Sequence, residues 1–289
     1  MSFKILLKLK TISNYLEGKK MFIYKQIVLA IIFSLTFSGF STAEELTGRQ
    51  IMDQVSERHE KDFEYEVQEM VLVDKKGNKE KRLLKRYQRK GEDGNFKYLM
   101  VFHDPSGVRG VALLTWQNKD KDDDQFMYLP SMGKKMKRIA KGGKRNYFMG
   151  TDFTFEDLVT ESRDKFTYKR LPDETQDGTE YFVLEAYPEE ANIKKSTGYK
   201  FRRLWVKKDI FFIVRTDYFD RRGRFIKQQL SKNLEQVDGK LWRANGQIID
   251  NKKMNHKTAV KVAERSLEEK NVPETNFRQR FVTSGKHVR

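Results

Sequence analysis

Cysteine is absent from the 289-residue chain. The protein therefore has no thiol nucleophile and no disulfide, and it lacks the cysteine that receives the lipid in a lipoprotein. We expect a soluble, unanchored product that is held together by a hydrophobic core. Even without its first 43 residues, the chain keeps about 246 residues, which is enough to bury such a core.

Catalytic and metal-binding motifs are also missing. The sequence contains no G-x-S-x-G, no P-loop and no H-E-x-x-H. Basic residues at 79–90 are accompanied by a single aromatic, Tyr87, whereas nucleic-acid binding needs interleaved stacking aromatics. We expect no cofactor, no metal and no nucleic-acid partner. The four histidines are scattered, with none at metal-ligand spacing: His59, His103, His256 and His287.

Two acidic clusters remain as candidates for chemistry. Glu156 and Asp157 could serve in acid–base catalysis or bind a cation if the fold brings them together in a pocket. Three consecutive aspartates at 122–124 follow Lys119-Asp120-Lys121, and this composition is typical of a hydrophilic hairpin tip.

The region before residue 44 has the order of a signal peptide. A short basic start at 21–25 precedes an apolar run at 27–37, and Ser41-Thr42-Ala43 provides the small residues of a cleavage site. The run is shorter than the roughly 20 residues of a membrane span, although an uncleaved N-terminal anchor stays an alternative. We predict a signal peptide over 1–43 that is cleaved near Ala43, with Met21 as an alternative start, and a single domain over 44–289.

The charge balance is basic. The chain carries 58 Lys and Arg against 41 Asp and Glu, a net charge of +17. Removal of residues 1–43 deletes six lysines and one glutamate, which leaves 52 against 40, or +12. Such a surface suits anionic phospholipid headgroups, lipopolysaccharide, nucleic acid or an acidic protein patch, or it serves solubility alone.

Secondary-structure patterns predict one helix followed by a long series of strands. Ile51, Met52 and Val55 share one face at helical spacing, which indicates an amphipathic helix over about 46–60. Apolar–polar alternation between turn residues predicts antiparallel strands that form a large sheet, curled or closed. The predicted strands are 63–73, 81–89, 96–102, 108–116, 125–129, 135–139, 165–171, 181–187, 199–207, 211–219, 225–234, 241–249 and 256–267.

The densest motif lies at 127–158. It reads Met127-Tyr128-Leu129-Pro130, then Lys137-Arg138-Ile139, then Y-F-M-G-T-D-F-T-F-E-D-L from Tyr147 to Leu158. This series resembles the outer-membrane lipoprotein-sorting protein family, a LolA-like group that is linked to RND-type (MMPL-like) lipid exporters. Weaker supporting matches follow the same order at 113–116, 204–208 and 218–224.

The resemblance implies a mainly β protein of the LolA/LolB type. Its antiparallel sheet would curl into an incomplete β-barrel, with an N-terminal helix and a helical plug. It implies a non-enzymatic periplasmic carrier that shields lipid or lipoprotein acyl chains in an apolar cavity. It also implies an inner-membrane RND/MMPL-type transporter as partner, with transient membrane contact. The cargo does not transfer, because the classical carrier reads lipidated proteins only.

Candidate residues come from this resemblance. The positions Pro130, Gly150, Thr151, Asp152, Glu156 and Asp157 are structural candidates of the motif. The chain has 21 Phe, 12 Tyr and 10 Met, which suit an adaptable apolar wall and equally an ordinary core. Candidates for lining or gating a lipid cavity are Leu114, Trp116, Met127, Tyr128, Leu129, Phe148, Met149, Phe153, Phe155, Leu204, Val206 and Phe212.

The F-M-G-T-D-F segment at 148–153 has two interpretations. Gly150 permits a backbone conformation that is closed to other residues, and Asp152 could cap the following turn by accepting from the backbone N–H groups near Thr154 and Phe155. The segment would then be a loop anchor. Alternatively, its aromatic residues would be held in the mouth of the barrel as a lipid gate.

Two other functions stay open from the sequence. A secreted hydrolase would use Glu156 and Asp157 in a polar cleft. A non-lipid periplasmic adaptor of a transporter would have a filled core without a cavity.

Overall fold

Thirteen alternating segments become thirteen β-strands, and all of them join one sheet. The computed structural model describes residues 45–119, 121–189 and 191–289. The strands are β1 (Phe63–Val73), β2 (Lys79–Lys90), β3 (Phe96–Asp104), β4 (Ala112–Trp116), β5 (Asp124–Tyr128), β6 (Met136–Arg138), β7 (Phe166–Gln176), β8 (Thr179–Pro188), β9 (Tyr199–Lys207), β10 (Phe212–Asp220), β11 (Phe225–Asp238), β12 (Leu241–Asn251) and β13 (His256–Ser266).

The sheet consists of two antiparallel meanders that join at β1 and β13. Its strand order is β6-β5-β4-β3-β2-β1-β13-β12-β11-β10-β9-β8-β7, and every neighbouring pair is antiparallel. The sheet curls but does not close, since β6 and β7 are its two edges. The predicted mainly β fold with an incomplete barrel is therefore confirmed, and full closure is excluded. Both edges carry charged residues, which discourage edge-to-edge pairing.

One predicted strand starts later than expected. The prediction began it at residue 108, whereas β4 begins at Ala112. The intervening chain turns on itself, because the N–H groups of Val108 and Arg109 both donate to the carbonyl of Pro105 at 3.0 Å. These donors are then unavailable to a sheet ladder.

The N-terminal helix α1 (Gly48–His59) starts at a capping box. The Thr47 side chain accepts from the Gln50 N–H, and the Gln50 side chain accepts from the Thr47 N–H. Ile51 and Met52 are buried against β7, β8 and β9, as their predicted stripe requires. Gly48 permits this close packing, because a Cβ there would lie 2.5 Å from the carbonyl oxygen of Tyr168.

The two faces of the sheet bury different partners. The inner face, which carries Met70 and Met100, packs against the chain between β6 and β7. The outer face of β1–β5 is covered by the C-terminal segment 267–289, whose Val272, Phe277 and Val282 are buried there. Two short helices complete the described chain, α2 (Ala191–Ser196) and α3 (Gln279–Thr283), together with several 3-10 turns.

Leu46–Arg289 forms one compact unit. The predicted signal peptide at 1–43 lies outside the described residues, so its cleavage and the domain boundary near residue 44 stay predictions. Among the described residues, no helix combines the length and apolarity that crossing a membrane would require.

Candidate functional site

The inner face of the sheet bounds a cavity of about 670 Å³. This volume lies within the range of roughly 300–1,000 Å³ that is typical of ligand sites. Helix α1, the inner face of the sheet and the chain at 157–164 form its walls. The apolar part of the lining consists of Met52, Val55, Met70, Phe96, Met100, Phe148, Phe153, Leu158, Val159, Phe212, Ile213, Ala244, Val260 and Val262.

A charged strip crosses the same inner face. Glu64 and Glu66 on β1 are 4% and 5% exposed. Arg243 of β12 donates to both carboxylate oxygens of Glu64, at 2.8 and 3.1 Å. Arg265 of β13 donates to Glu66 at 2.8 Å, and Arg86 of β2 lies 3.7 Å from Glu66. Burial alone would raise the pKa of Glu64, but the charge and hydrogen bonds of Arg243, together with the charges of Arg86 and Arg265, outweigh burial and lower this pKa.

The F-M-G-T-D-F segment forms a tight loop against the apolar part of this cavity. The Phe148 N–H donates to the Phe153 carbonyl at 2.8 Å, and the Thr151 hydroxyl donates to the Phe148 carbonyl at 2.7 Å. Met149 and Gly150 have φ values of 48° and 76°, which is the left-handed backbone expected for Gly150. Phe148 stacks on Phe102 of β3, with ring centroids 5.6 Å apart.

Contrary to the prediction, Asp152 does not accept hydrogen bonds from the backbone N–H groups of the following turn. Its carboxylate accepts from side chains of the sheet: the Asn251 amide at 2.9 Å, the Thr258 hydroxyl at 2.7 Å and the ring of His256 at 2.7 Å. The following turn is capped instead by Thr154 and Asp157, whose carboxylate accepts from the Thr154 N–H at 2.6 Å. Asp152 thus joins the loop to β12 and β13.

A fully buried ion pair joins the loop to strand β11. The Lys227 ammonium of β11 donates to Asp157 at 2.6 Å and to the Asp152 carbonyl at 2.8 Å. Lys227 is 0% exposed, and the Tyr199 hydroxyl also donates to Asp157 at 3.0 Å. The Lys227 ammonium also lies 4.7 Å from the ring centroid of Tyr218. These contacts support the anchor interpretation of the loop.

Sequence reasoning missed Lys227. Its only signal is a lysine beside Phe225 and Ile226 at the start of a strand. The same pattern is common on solvent-facing strand positions, so it does not reveal a buried charge.

Glu156 and Asp157 point to different partners. The Glu156 carboxyl accepts from the Thr197 hydroxyl at 2.6 Å and from the Gly198 N–H at 2.8 Å. Burial and the neighbouring charge of Asp157 raise the pKa of Glu156 to about 7. Asp157 is ion-paired with Lys227 at 2.6 Å, whereas Glu156 is bound by Thr197 and Gly198, so the two carboxyl groups do not converge on a shared substrate position.

The aspartates at 122–124 lie at the end of the hairpin connection between β4 and β5, as predicted, but they are not solvent-exposed. Asp122 is 8% exposed, and burial raises the pKa of Asp123. Lys165 lies beneath them and donates to the carbonyls of Asn118 and Lys121, at 2.6 and 2.9 Å. Within the described chain, no group of three or more His, Asp or Glu residues could hold a metal ion.

Comparisons with known proteins agree with this architecture. A family model described as "Uncharacterized protein" matches residues 94–284. An outer membrane lipoprotein-sorting protein domain from Vibrio parahaemolyticus is 27% identical with a TM-score of 0.76, and the match covers 82% of this chain and 98% of that one. This chain belongs to the family that this model describes, and it is similar in sequence and fold to an outer-membrane lipoprotein-sorting protein of the LolA-like group.

Two further solved structures belong to the same comparison. A DUF1329 family protein from Desulfovibrio piger is 25% identical with a TM-score of 0.74, over 80% of this chain and 95% of that one. A LolA superfamily protein from Nitrosomonas europaea shares the fold, with 16% identity and a TM-score of 0.65, over 81% of this chain and 98% of that one. No curated protein matches.

Nine of the twelve candidates for lining or gating a lipid cavity fall in four places. Phe148, Phe153 and Phe212 line the main cavity. Met127, Leu129 and Phe155 line a second, smaller hollow of about 270 Å³ beside β6. Met149 packs against the inner core, whereas Leu204 and Val206 pack beneath α1 with Ile51.

Three cavity candidates lie on the wrong face. Leu114, Trp116 and Tyr128 point to the outer side of the sheet, under the C-terminal segment. The Trp116 indole donates to the Phe277 carbonyl at 2.9 Å, and Tyr128 meets His287 edge to face. The reason is the two-residue period of a strand, which sends Leu114 and Leu113 to opposite sides.

All structural candidates of the motif except Gly150 and Pro130 make side-chain hydrogen bonds in or beside the 148–157 loop. Thr151, Asp152, Glu156 and Asp157 each make hydrogen bonds there. Pro130 begins a short 3-10 turn and lies near Gly110, where a Cβ would come within 3.1 Å of its ring.

Proposed function

We propose that this protein is a periplasmic carrier that shields lipid or lipoprotein acyl chains and passes them between membranes. The observation that supports the proposal is the 670 Å³ cavity on the inner face of a LolA-like sheet. Its apolar wall, which includes Phe148, Phe153 and Val260, needs no catalytic group in order to hold a chain.

The energetics of such a site are favourable. Each buried methylene contributes about 0.8 kcal/mol, so a chain of ~15 methylenes gains roughly 12 kcal/mol before the costs of ordering and association. Methionines such as Met70 and Met100 adapt to chains of different shape. A partly solvent-open cavity lets the cargo enter and leave.

The carrier is proposed to be exported by the signal peptide predicted at 1–43 and to act in the periplasm. The proposed partner is an inner-membrane RND/MMPL-type transporter, which rests on the motif resemblance at 127–158 alone.

A basic segment at 131–145 supports contact with an anionic membrane. It contains seven Lys or Arg residues and no Asp or Glu. Six of the seven are exposed, and Met132 beside them is 51% exposed. Basic residues near a membrane that contains anionic lipids contribute about 1 kcal/mol each. The segment also lines the smaller hollow beside β6.

The other two functions have less support. A hydrolase would need converging carboxyl groups, but Glu156 and Asp157 are bound to separate partners. An adaptor with a filled core would not need a cavity of this size.

The direct test is to identify bound lipid. We expect native mass spectrometry of the protein purified from a periplasmic extract to show lipid adducts, and we expect the delipidated protein to bind a fluorescent fatty acid. The proposal fails if the folded protein carries no lipid and binds none.

A further inference from the structure

A cavity for acyl chains has no need of a charged strip across the inner face of the sheet, yet this one contains such a strip among its charged lining residues. Glu64, Glu66, Arg86, Arg243 and Arg265 all line it. Removing a charge from water costs several kcal/mol unless it is paired, so an apolar lining would be simpler to build. The charged strip therefore needs an explanation beyond the shielding of acyl chains.

The strip is not balanced. Three guanidinium groups share two carboxylates, which leaves one excess positive charge. Arg243 and Arg265 each donate to a carboxylate at 2.8 Å, whereas Arg86 comes no closer than 3.7 Å to Glu66. Arg86 donates instead to the neutral side chain of Gln88 at 3.1 Å. Arg86 is thus the guanidinium with spare capacity for an anion.

The strip also lies at a suitable distance from the apolar wall. Glu66 and Met70 are on the same face of β1, four residues apart, which corresponds to about 13 Å along a strand. Gln68 lies between them, and Val262 of β13 pairs with it. The cavity is therefore polar at the Arg86 end and apolar at the Met70 end.

We propose that the cavity binds an amphipathic lipid whose anionic headgroup, a phosphate or a carboxylate, lies against Arg86 while its acyl chain lies against Met70, Phe148 and Phe153. The proposal rests on the carrier function above and adds the headgroup class. A guanidinium suits both anions, because its N–H groups can donate to two oxygens at once.

The test compares single-chain probes with the same oleoyl chain and different headgroups. Oleic acid presents a carboxylate, lysophosphatidylglycerol a phosphate, and monoolein no charge. Displacement of a fluorescent fatty acid would be measured below the micelle concentration of each probe. The variants are Arg86→Gln and Arg86→Lys, with Lys85→Gln as the matched control because Lys85 is on the same strand but faces the other side.

We expect Arg86→Gln to weaken binding of the two anionic probes at least tenfold and to leave monoolein unchanged, with partial recovery in Arg86→Lys. Lys85→Gln should behave as the unmodified protein. If only one anionic probe is affected, the headgroup is assigned to that anion. Equal weakening of all three probes, or no change with any of them, overturns the headgroup assignment while the carrier function stands. Failure of every probe to bind the unmodified protein overturns the carrier function itself.

Discussion

At the residue scale, a lysine without exposed surface decides how the F-M-G-T-D-F loop is anchored to the sheet. Lys227 pairs with Asp157 at 2.6 Å, and both side chains are almost inaccessible. Breaking a buried pair by removing one partner leaves the other charge uncompensated, which typically costs about 3–5 kcal/mol. The loop at 148–157 therefore depends on a charge that comes from β11.

Replacement of this lysine is expected to destabilise the fold strongly. Lys227→Met keeps the side-chain volume but leaves Asp157 buried without its cation, so chemical denaturation should show a loss of about 3–5 kcal/mol in the free energy of unfolding. Lys232→Met, at an exposed position of the same strand, is the control and should change it by less than about 0.5 kcal/mol. Equal stability of the two variants would refute the anchoring role of Lys227.

Glu156 gives the protein a predictable pH dependence. Its pKa is raised to about 7 in the fold, against an ordinary value of 4.5. Between these values the folded state keeps the proton that the unfolded state loses, so stability falls as the pH rises from 4.5 to 7. One pKa unit corresponds to about 1.4 kcal/mol, so the full loss is up to about 3 kcal/mol.

Glu156→Gln should remove this dependence. The amide oxygen can still accept from the Gly198 N–H, and the amide nitrogen can donate to the Thr197 hydroxyl. We expect the variant to match the unmodified protein near pH 4.5 and to melt at a higher temperature above pH 7. The exposed Glu92→Gln is the control. A melting curve for Glu156→Gln that follows the unmodified protein across this range would contradict the assigned burial cost.

The sequence predicts single residues of the loop better than their partners. Gly150 is recognisable because a turn demands its backbone freedom. The partners of Asp152, by contrast, come from residues 251–258, about one hundred positions away. Local reasoning assigned it a local cap, which the fold fulfils with Asp157.

At the element scale, apolar–polar alternation predicts the strands, but it does not predict which face of the sheet lines the cavity. All thirteen predicted strands are present, and ten of them lie within two residues of their predicted bounds at both ends, since turn residues separate them clearly. Leu114, Trp116 and Tyr128 lie in or close to the motif in sequence, but the two-residue period of their strands places them on the outer face. The C-terminal segment that covers these residues has no regular apolar period. The sequence therefore does not predict that the outer face of the sheet is covered.

The proposed contact of the basic segment at 131–145 with anionic membranes can be tested by substitution. Substitution of Lys134, Lys135 and Lys137 by glutamine should weaken co-sedimentation with phosphatidylglycerol vesicles at least tenfold, because each basic residue contributes about 1 kcal/mol. Binding to phosphatidylcholine vesicles should be weak throughout. The matched control places three such substitutions at Lys75, Lys76 and Lys79, which are exposed at the turn between β1 and β2. Equal losses in both triple variants would show that net charge alone matters and not this segment.

At the scale of the whole molecule, one open sheet provides both an apolar wall and a charged strip in one cavity. Because β6 and β7 do not pair, the sheet can curl around α1 and the motif loop without filling the space between them. The apolar wall suits an acyl chain, and the charged strip at Arg86 suits a headgroup. Under the proposed carrier function, the acyl chain would lie at the apolar wall and the headgroup at the charged strip.

The most direct test is to measure ligand binding by a variant whose cavity is filled by a larger side chain. Val262 of β13 lines it between the strip and the apolar wall, so Val262→Trp should fill the space that a chain would occupy. Ile248→Trp is the matched control, since Ile248 is 37% exposed. With both variants folded by circular dichroism, we expect fluorescent fatty acid binding to fall at least tenfold in Val262→Trp and to persist in Ile248→Trp. Undiminished binding by Val262→Trp would contradict a cargo site in this cavity.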